Sequence, residues 1–251
     1  MALWEYLLAA GAGGLAGVVN AMAGGGTLIT YPSLLLLGHG PIVSNATSTL
    51  ALWPGYVAAS FGFRPNLAGT RRLALVLSLP SLAGGLTGAV LLLTTPAHVF
   101  EAIVPALVLG ATLLLAWQGR GPDRPVRPLR GGRRAAAIAF QYGAGVYGGY
   151  FGGALGFLLL AGFGFFGIRD MLQMSGLKNL LTTLINGVAL AYFLVRERVS
   201  WADGLVMAAG AIAGGYAGAL LARRIGGEAA RRAVVGLGFV VSAGLLVKAI
   251  A

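Results

Sequence analysis

Five polar residues in one otherwise apolar stretch are where this sequence concentrates its chemistry. Ser175, Lys178, Asn179, Thr182 and Asn186 fall at helical spacing along one face of the segment 171–195. Lys178 stands two turns beyond the nearest flanking charges, Arg169 and Asp170. A full charge inside a membrane span is costly and is usually kept for a site or a partner. Lysine supplies charge to an oxyanion, and hydroxyls and amides donate hydrogen bonds to it. The competing use of Lys178 is snorkelling, since it lies roughly 10 Å along a helix from Asp170. As a whole, the stripe points to an anion passing through a membrane protein.

A second polar cluster, Asn45, Thr47, Ser48 and Thr49, lies in the first half of the chain. Each cluster follows a glycine break at a similar offset: Gly24, Gly25 and Gly26 in the first half, and Gly148, Gly149, Gly152 and Gly153 in the second. A helix that restarts inside a membrane exposes unpaired N–H groups carrying partial positive charge, which attract anions. Thr27 and Ala154 are expected to begin two such half-helices, with both N-termini near the bilayer midplane. The plainer uses of these residues are close helix packing for the glycines and back-bonding to helix carbonyls for the hydroxyls. Back-bonding fits Thr183 and Ser81, which stand apart from the clusters. Tyr147, Tyr150 and Phe151 precede the second break, and Tyr31 and Pro32 follow the first. These aromatics can wall an organic anion, form a gate, or simply pack.

Composition sets the surroundings. The chain is 57% hydrophobic and 10% charged, whereas soluble domains carry about 25% charged residues. The net charge of +11 does not indicate a nucleic-acid partner, because the arginines lie in short loops between apolar spans, as cytoplasmic loops do. There are no cysteines, and the only histidines are His39 and His98. No cluster suited to a metal, a cofactor or catalysis is evident, and no P-loop is present. The N-terminus lacks a basic leader, so the first apolar stretch is expected to be retained.

The elements that must position these residues are apolar segments at 3–22, 27–37, 42–63, 73–93, 97–117, 135–151, 154–167, 171–195, 203–222 and 233–250. The stretches 3–37 and 135–167 are each too long for one span of about 20 residues and short for two. Each is expected to be a helical hairpin broken at its glycines. The loops at 64–72, 118–134 and 223–232 hold thirteen arginines, against two at 38–41, 94–98 and 196–203. The first set is therefore expected to be cytoplasmic and both termini external. The resulting fold is all-α and polytopic, with two inverted-topology repeats, 1–117 and 135–251, joined by a cytoplasmic linker, 118–134. Each repeat is a broken hairpin plus three transmembrane helices, an architecture common among secondary transporters.

The run Asn20-Ala-Met-Ala-Gly-Gly-Gly-Thr-Leu-Ile-Thr-Tyr-Pro-Ser-Leu, with Gly38, Pro41 and Asn45-Ala-Thr-Ser after it, resembles the TauE/SafE sulfite-exporter family, also called the 4-toluene sulfonate uptake permease family. The second half carries the likeness through Gly148–Gly156, Ser175-Gly-Leu-Lys178-Asn179, Asn186 and Val199-Ser-Trp201. The resemblance implies a multi-pass transporter of the bacterial or archaeal inner membrane that carries sulfite or sulfonates such as sulfoacetate. One departure is that Gly152-Gly153-Ala154-Leu155-Gly156 lacks the proline that often follows this motif in the family. The candidate substrate ligands are Asn20, Gly24, Gly25, Gly26, Thr27, Asn45, Thr47, Ser48, Tyr150, Gly152, Gly153, Lys178, Asn179, Thr182 and Asn186. The expected mechanism is alternating access. The alternative is an anion-selective channel using the same positive midplane, with a membrane enzyme or structural subunit as a third reading. The expected partners are a small sulfur-containing anion and the lipid bilayer; oligomeric state, a homo-oligomer included, is open.

Overall fold

A computed structural model of the chain describes residues 3–22, 24–118, 131–166, 168, 171–225, 236, 239 and 240. These residues form α-helices and no strand. Most of the linker, most of the final expected span at 233–250, both termini and the pair Arg169-Asp170 lie outside the described residues.

The first glycine run divides its stretch into α1 (Leu3–Met22) and α2 (Thr27–Leu36). The second divides its stretch into α6 (Gly132–Tyr150) and α7 (Leu155–Phe165). Between the hairpins lie α3 (Pro41–Gly62), a short tight helix at Arg64–Thr70, α4 (Arg71–Thr94) and α5 (Ala97–Gln118). After them come α8 (Met171–Val195) and α9 (Trp201–Ile225). Pro41 opens α3, where its missing N–H costs nothing. Arg71–Thr94, Leu172–Val195 and Trp201–Ala222 are long and apolar enough to cross a membrane. Outward-facing Leu75 and Leu79 on α4 and Leu205 and Ile212 on α9 are exposed in the isolated chain. Such apolar faces suit lipid rather than water.

Packing is dominated by two glycine seams. α1 lies along α9 and α4 lies along α6, while α3 rests on α9 and on α8, and α4 rests on α8. Swapping α1, α3 and α4 for α6, α8 and α9 leaves this set of packed pairs unchanged. At the first seam a Cβ on Gly210 would stand 2.7 Å from Gly14 N; at the second, one on Gly84 would stand 2.9 Å from Val146 N. Backbones this close pack by direct contact, the usual means of holding helices together in lipid. The interior between the seams is filled by two apolar clusters. One is centred on Phe100, Phe151 and Phe157, the other on Leu155, Leu177 and Ile185.

Candidate functional site

The two hairpins turn by the same device. Gly24 and Gly152 adopt positive φ, 83° and 70°, which glycine tolerates without penalty. Their N–H groups donate to Val19 O at 3.0 Å and Tyr147 O at 3.3 Å, closing the end of each long arm. The tips then meet. A Cβ on Gly24 would stand 3.0 Å from Gly156 N, and one on Gly152 would stand 4.0 Å from Thr27 Oγ1 and 3.6 Å from Asn186 Oδ1. α2 starts at Thr27 as expected. α7 starts at Leu155, one residue later than expected, because Ala154 sits in the left-handed region with φ 61°. The second half-helix thus starts from a strained cap.

Around the first tip the bonds are polar. Asn20 Oδ1 accepts from Gly25 N at 2.9 Å and Gly26 N at 2.5 Å, so a side chain occupies the donors expected to face an anion. Ser48 and Thr30 share a 2.5 Å hydroxyl contact. Lys178 is fully buried, and its ammonium donates to Asn20 O at 2.5 Å and Ala21 O at 3.2 Å. Asn179 Nδ2 donates to Ala21 O at 3.1 Å and to Ser175 O at 2.9 Å. These acceptors are the last carbonyls of α1, the negative end of a broken helix, where a cation contributes about 0.3–2 kcal/mol. In this conformation, then, Lys178 caps α1 from within the protein.

Around the second tip the bonds are fewer. Asn45 Nδ2, from α3, donates to Tyr150 O at 3.0 Å, the last carbonyl of α6. Tyr147 donates its hydroxyl proton to Gly153 O. The capping is therefore crossed: α8 of the second half closes α1 of the first, and α3 of the first half closes α6 of the second. The ring of Tyr150 packs on Phe100, and Tyr31, Phe100 and Phe151 stack edge to face beside it.

Several buried polar atoms at this junction have no protein partner. They are Asn20 Nδ2, Asn45 Oδ1, Asn179 Oδ1 and Thr182 Oγ1. A buried unpaired polar atom costs about 1–3 kcal/mol, so such a group usually faces water or a ligand. Thr182 and Asn186 are joined through Asn186 Nδ2 to Thr182 O at 3.1 Å. The geometry thus gathers Asn20, Gly24, Gly25, Gly26, Thr27, Asn45, Ser48, Gly152, Gly153, Lys178, Asn179, Thr182 and Asn186 at or beside the tips. Tyr150 contributes its carbonyl there and its ring to the aromatic wall. Thr47 stands apart: its hydroxyl accepts from Ser200 N at 2.9 Å, at the connection between α8 and α9.

Two participants carried no signal strong enough to single them out in the sequence. Thr30 is one of several hydroxyls on an apolar arm, and only its meeting with Ser48 distinguishes it. Tyr56, buried on α3, lies beside the side chain of Asn20, 36 positions away.

Three apolar spans, glycine-packed helices and a buried polar junction fit a membrane transporter. The chain belongs to the TauE/SafE sulfite exporter family: residues 9–245 match the profile described as Sulfite exporter TauE/SafE. It is similar to the probable membrane transporter protein YfcA of Escherichia coli K12, at 30% identity over 92% of this chain and 86% of that protein. A probable membrane transporter protein of Haemophilus influenzae is 27% identical over 92% of this chain and 90% of its own length. A third relative, the probable membrane transporter protein ORF9 of Sinorhizobium sp, is 28% identical over 85% of this chain and 82% of its own length. No solved structure matches the chain.

Proposed function

We propose that this protein is a secondary transporter that moves sulfur-containing anions, sulfite or sulfonates such as sulfoacetate, across the inner membrane by alternating access. The observation that carries this reading is the junction of the hairpin tips. Two half-helix breaks meet there, flanked by the buried, unpartnered donors Asn20 Nδ2 and Thr182 Oγ1. The N–H groups of Gly153 and Ala154 lie just before α7, where a helix N-terminus favours oxyanions. Sulfonate and sulfite both present several oxygens to such donors. The family's printed description, sulfite exporter, supports the substrate class.

The packed pairs support a division into repeats at 1–117 and 135–251, because they survive exchange of the two halves. The matched bonds closing the two breaks support it as well. Inverted orientation and external termini follow from the arginine distribution. Backbone contact between Gly24 and Gly156 favours alternating access over an open pore, since the tips block the path between them. Binding would then require the tips to part, freeing Asn20, and with it the Gly25 and Gly26 donors, for the anion.

The test is counterflow of radiolabelled sulfoacetate in liposomes holding only this protein. Saturable flux, accelerated by unlabelled sulfoacetate or sulfite on the far side, is expected. Flux that rises linearly with concentration and shows no acceleration would mean a channel. Absence of flux with every anion tried would remove the transport reading.

A further inference from the structure

We propose that His39 and Asp203 form a proton-operated latch that holds the outlet of the first hairpin against α9. This rests on the transport reading for its purpose, but not for its geometry. His39 Nε2 lies 2.6 Å from Asp203 Oδ2, with the side chains 25% and 8% exposed. His39 belongs to the loop that joins the short arm α2 to α3, and Asp203 to the first turn of α9. Ser200 Oγ donates to the same carboxylate oxygen at 2.8 Å, and Ser200 N–H donates to Thr47 Oγ1 at 2.9 Å. These contacts tie three pieces together: the exit of the first hairpin, the start of α9, and the turn of α3 that carries Asn45 and Ser48.

Besides His39, the start of α9 has near it Glu5, half-buried in the first turn of α1, the helix that lies along α9. The connection between α8 and α9 carries Arg196, Glu197 and Arg198, all exposed and none in an ion pair with Asp203. Arg196 lies over the Tyr192 ring instead, 5.4 Å from its centroid. α2 brings one titratable side chain, Tyr31, which is packed among Phe100 and Phe151. α3 brings Tyr56, which lies far down the helix at Asn20, and at His39 itself only the Ser44 hydroxyl, bonded to the His39 carbonyl at 3.3 Å. His98 and Glu101 at the start of α5 are exposed.

Histidine is the side chain that ordinarily changes charge between pH 5 and 8. Protonated, His39 makes a charge-assisted bond to a largely buried carboxylate, and the hairpin outlet is held. As pH rises the imidazolium loses its proton, the contact weakens to a neutral hydrogen bond, and the loop is released. Flux limited by hairpin movement should therefore rise with pH on the face that carries the latch.

The experiment measures sulfoacetate counterflow in proteoliposomes between pH 5 and 8 for wild type, His39→Gln and Asp203→Asn. Hydrogen exchange of the peptide covering residues 36–44, corrected for the intrinsic pH dependence, is followed alongside. Wild-type flux should rise about five-fold across this range, as expected for loss of one partly buried ion pair. Both variants should vary less than about two-fold, at a level near the wild type's upper plateau. Exchange in 36–44 should quicken with pH in wild type only. Flat wild-type flux beside sulfoacetate counterflow, or unchanged pH dependence in His39→Gln, overturns the latch and leaves the transport reading standing. If no variant carries flux, exchange alone decides: pH-independent protection in wild type refutes the latch, and protection lost with pH in wild type but not in His39→Gln upholds it.

Discussion

The two hairpin tips share one bend and differ in nearly everything that surrounds it. Each turns on a positive-φ glycine whose N–H closes the preceding helix. The first tip is then filled with polar side chains: Asn20 on its donors, Lys178 and Asn179 on its acceptors. The second is held by one amide from Asn45, one hydroxyl from Tyr147 and a wall of phenylalanines. The difference shows that the bend itself needs only glycine and a capping donor from the opposite half. Everything else at the tips is free to be specialised, and the first tip has been given the charge.

The largest effect should come from that charge. Lys178→Met leaves Asn20 O at the end of α1 without its donor, at about 1–3 kcal/mol, and takes one charge-assisted bond from Ala21 O, which keeps Asn179 Nδ2. Transport should fall to background and the melting temperature should drop by several degrees in detergent. Asn45→Ala, the corresponding loss at the second tip, removes a neutral donor from one carbonyl and, a charge-assisted bond being roughly twice as strong, should cost about half as much stability. Equal losses from the two variants would mean the tips are energetically alike and the comparison misconceived.

A sharper contrast lies in the glycines. At Gly24 a methyl would stand 3.0 Å from the Gly156 backbone nitrogen, on a residue with φ 83°. At Gly152 the nearest atom is Gly148 O at 3.2 Å. Both alanine variants strain the backbone by about 1–2 kcal/mol, but only Gly24→Ala forces the tips apart. Uptake should be abolished by Gly24→Ala and reduced about ten-fold by Gly152→Ala, measured at matched expression.

Asn20→Ala removes the buried, unpartnered amide donor Nδ2 from the junction, and Tyr147→Phe strips one carbonyl of its donor. Anion binding by calorimetry should weaken about ten- to a hundred-fold for the first and less than ten-fold for the second. If Asn20→Ala tightened binding, Asn20 would be a competitor for the anion rather than part of its shell.

The smallest effect is expected at Ala154. Glycine there would relieve a left-handed alanine, about 1–2 kcal/mol, at the loss of one buried methyl, about 0.8 kcal/mol. Ala154→Gly should raise the melting temperature by a degree or two, a gain unavailable at Gly26, the position before α2, whose backbone is already in the ordinary helical region.

The hairpins were legible because a glycine run splits a stretch too long for one span and too short for two. The start of α2 at Thr27 follows directly from Gly24–Gly26. The start of α7 lies one residue later, because Ala154 takes a left-handed conformation that alanine does not favour and its residue type does not announce. Lys178 announced itself by being charged in an apolar segment, but its acceptors did not: backbone carbonyls look alike in any sequence, and Asn20 and Ala21 are more than 150 positions away. Thr47 and Ser48 are neighbours in the chain yet point about 100° apart on a helix, so one meets Ser200 and the other Thr30. Only the placement of α9 and α2 decides between them. The His39–Asp203 contact joins residues 164 positions apart, and nothing local to either announces the other.

Crossed capping also has a consequence for how the chain is made. The carbonyls of Asn20 and Ala21 leave the ribosome 158 and 157 positions ahead of the side chain that will cover them. At synthesis rates of about 5–20 residues per second, the wait is roughly 8–30 seconds. Hydrocarbon offers no substitute partner for those oxygens over that time. If the first hairpin is seated in the bilayer, crossed capping predicts that it settles to full depth only once α8 has arrived, so that the first element synthesised is among the last to be seated.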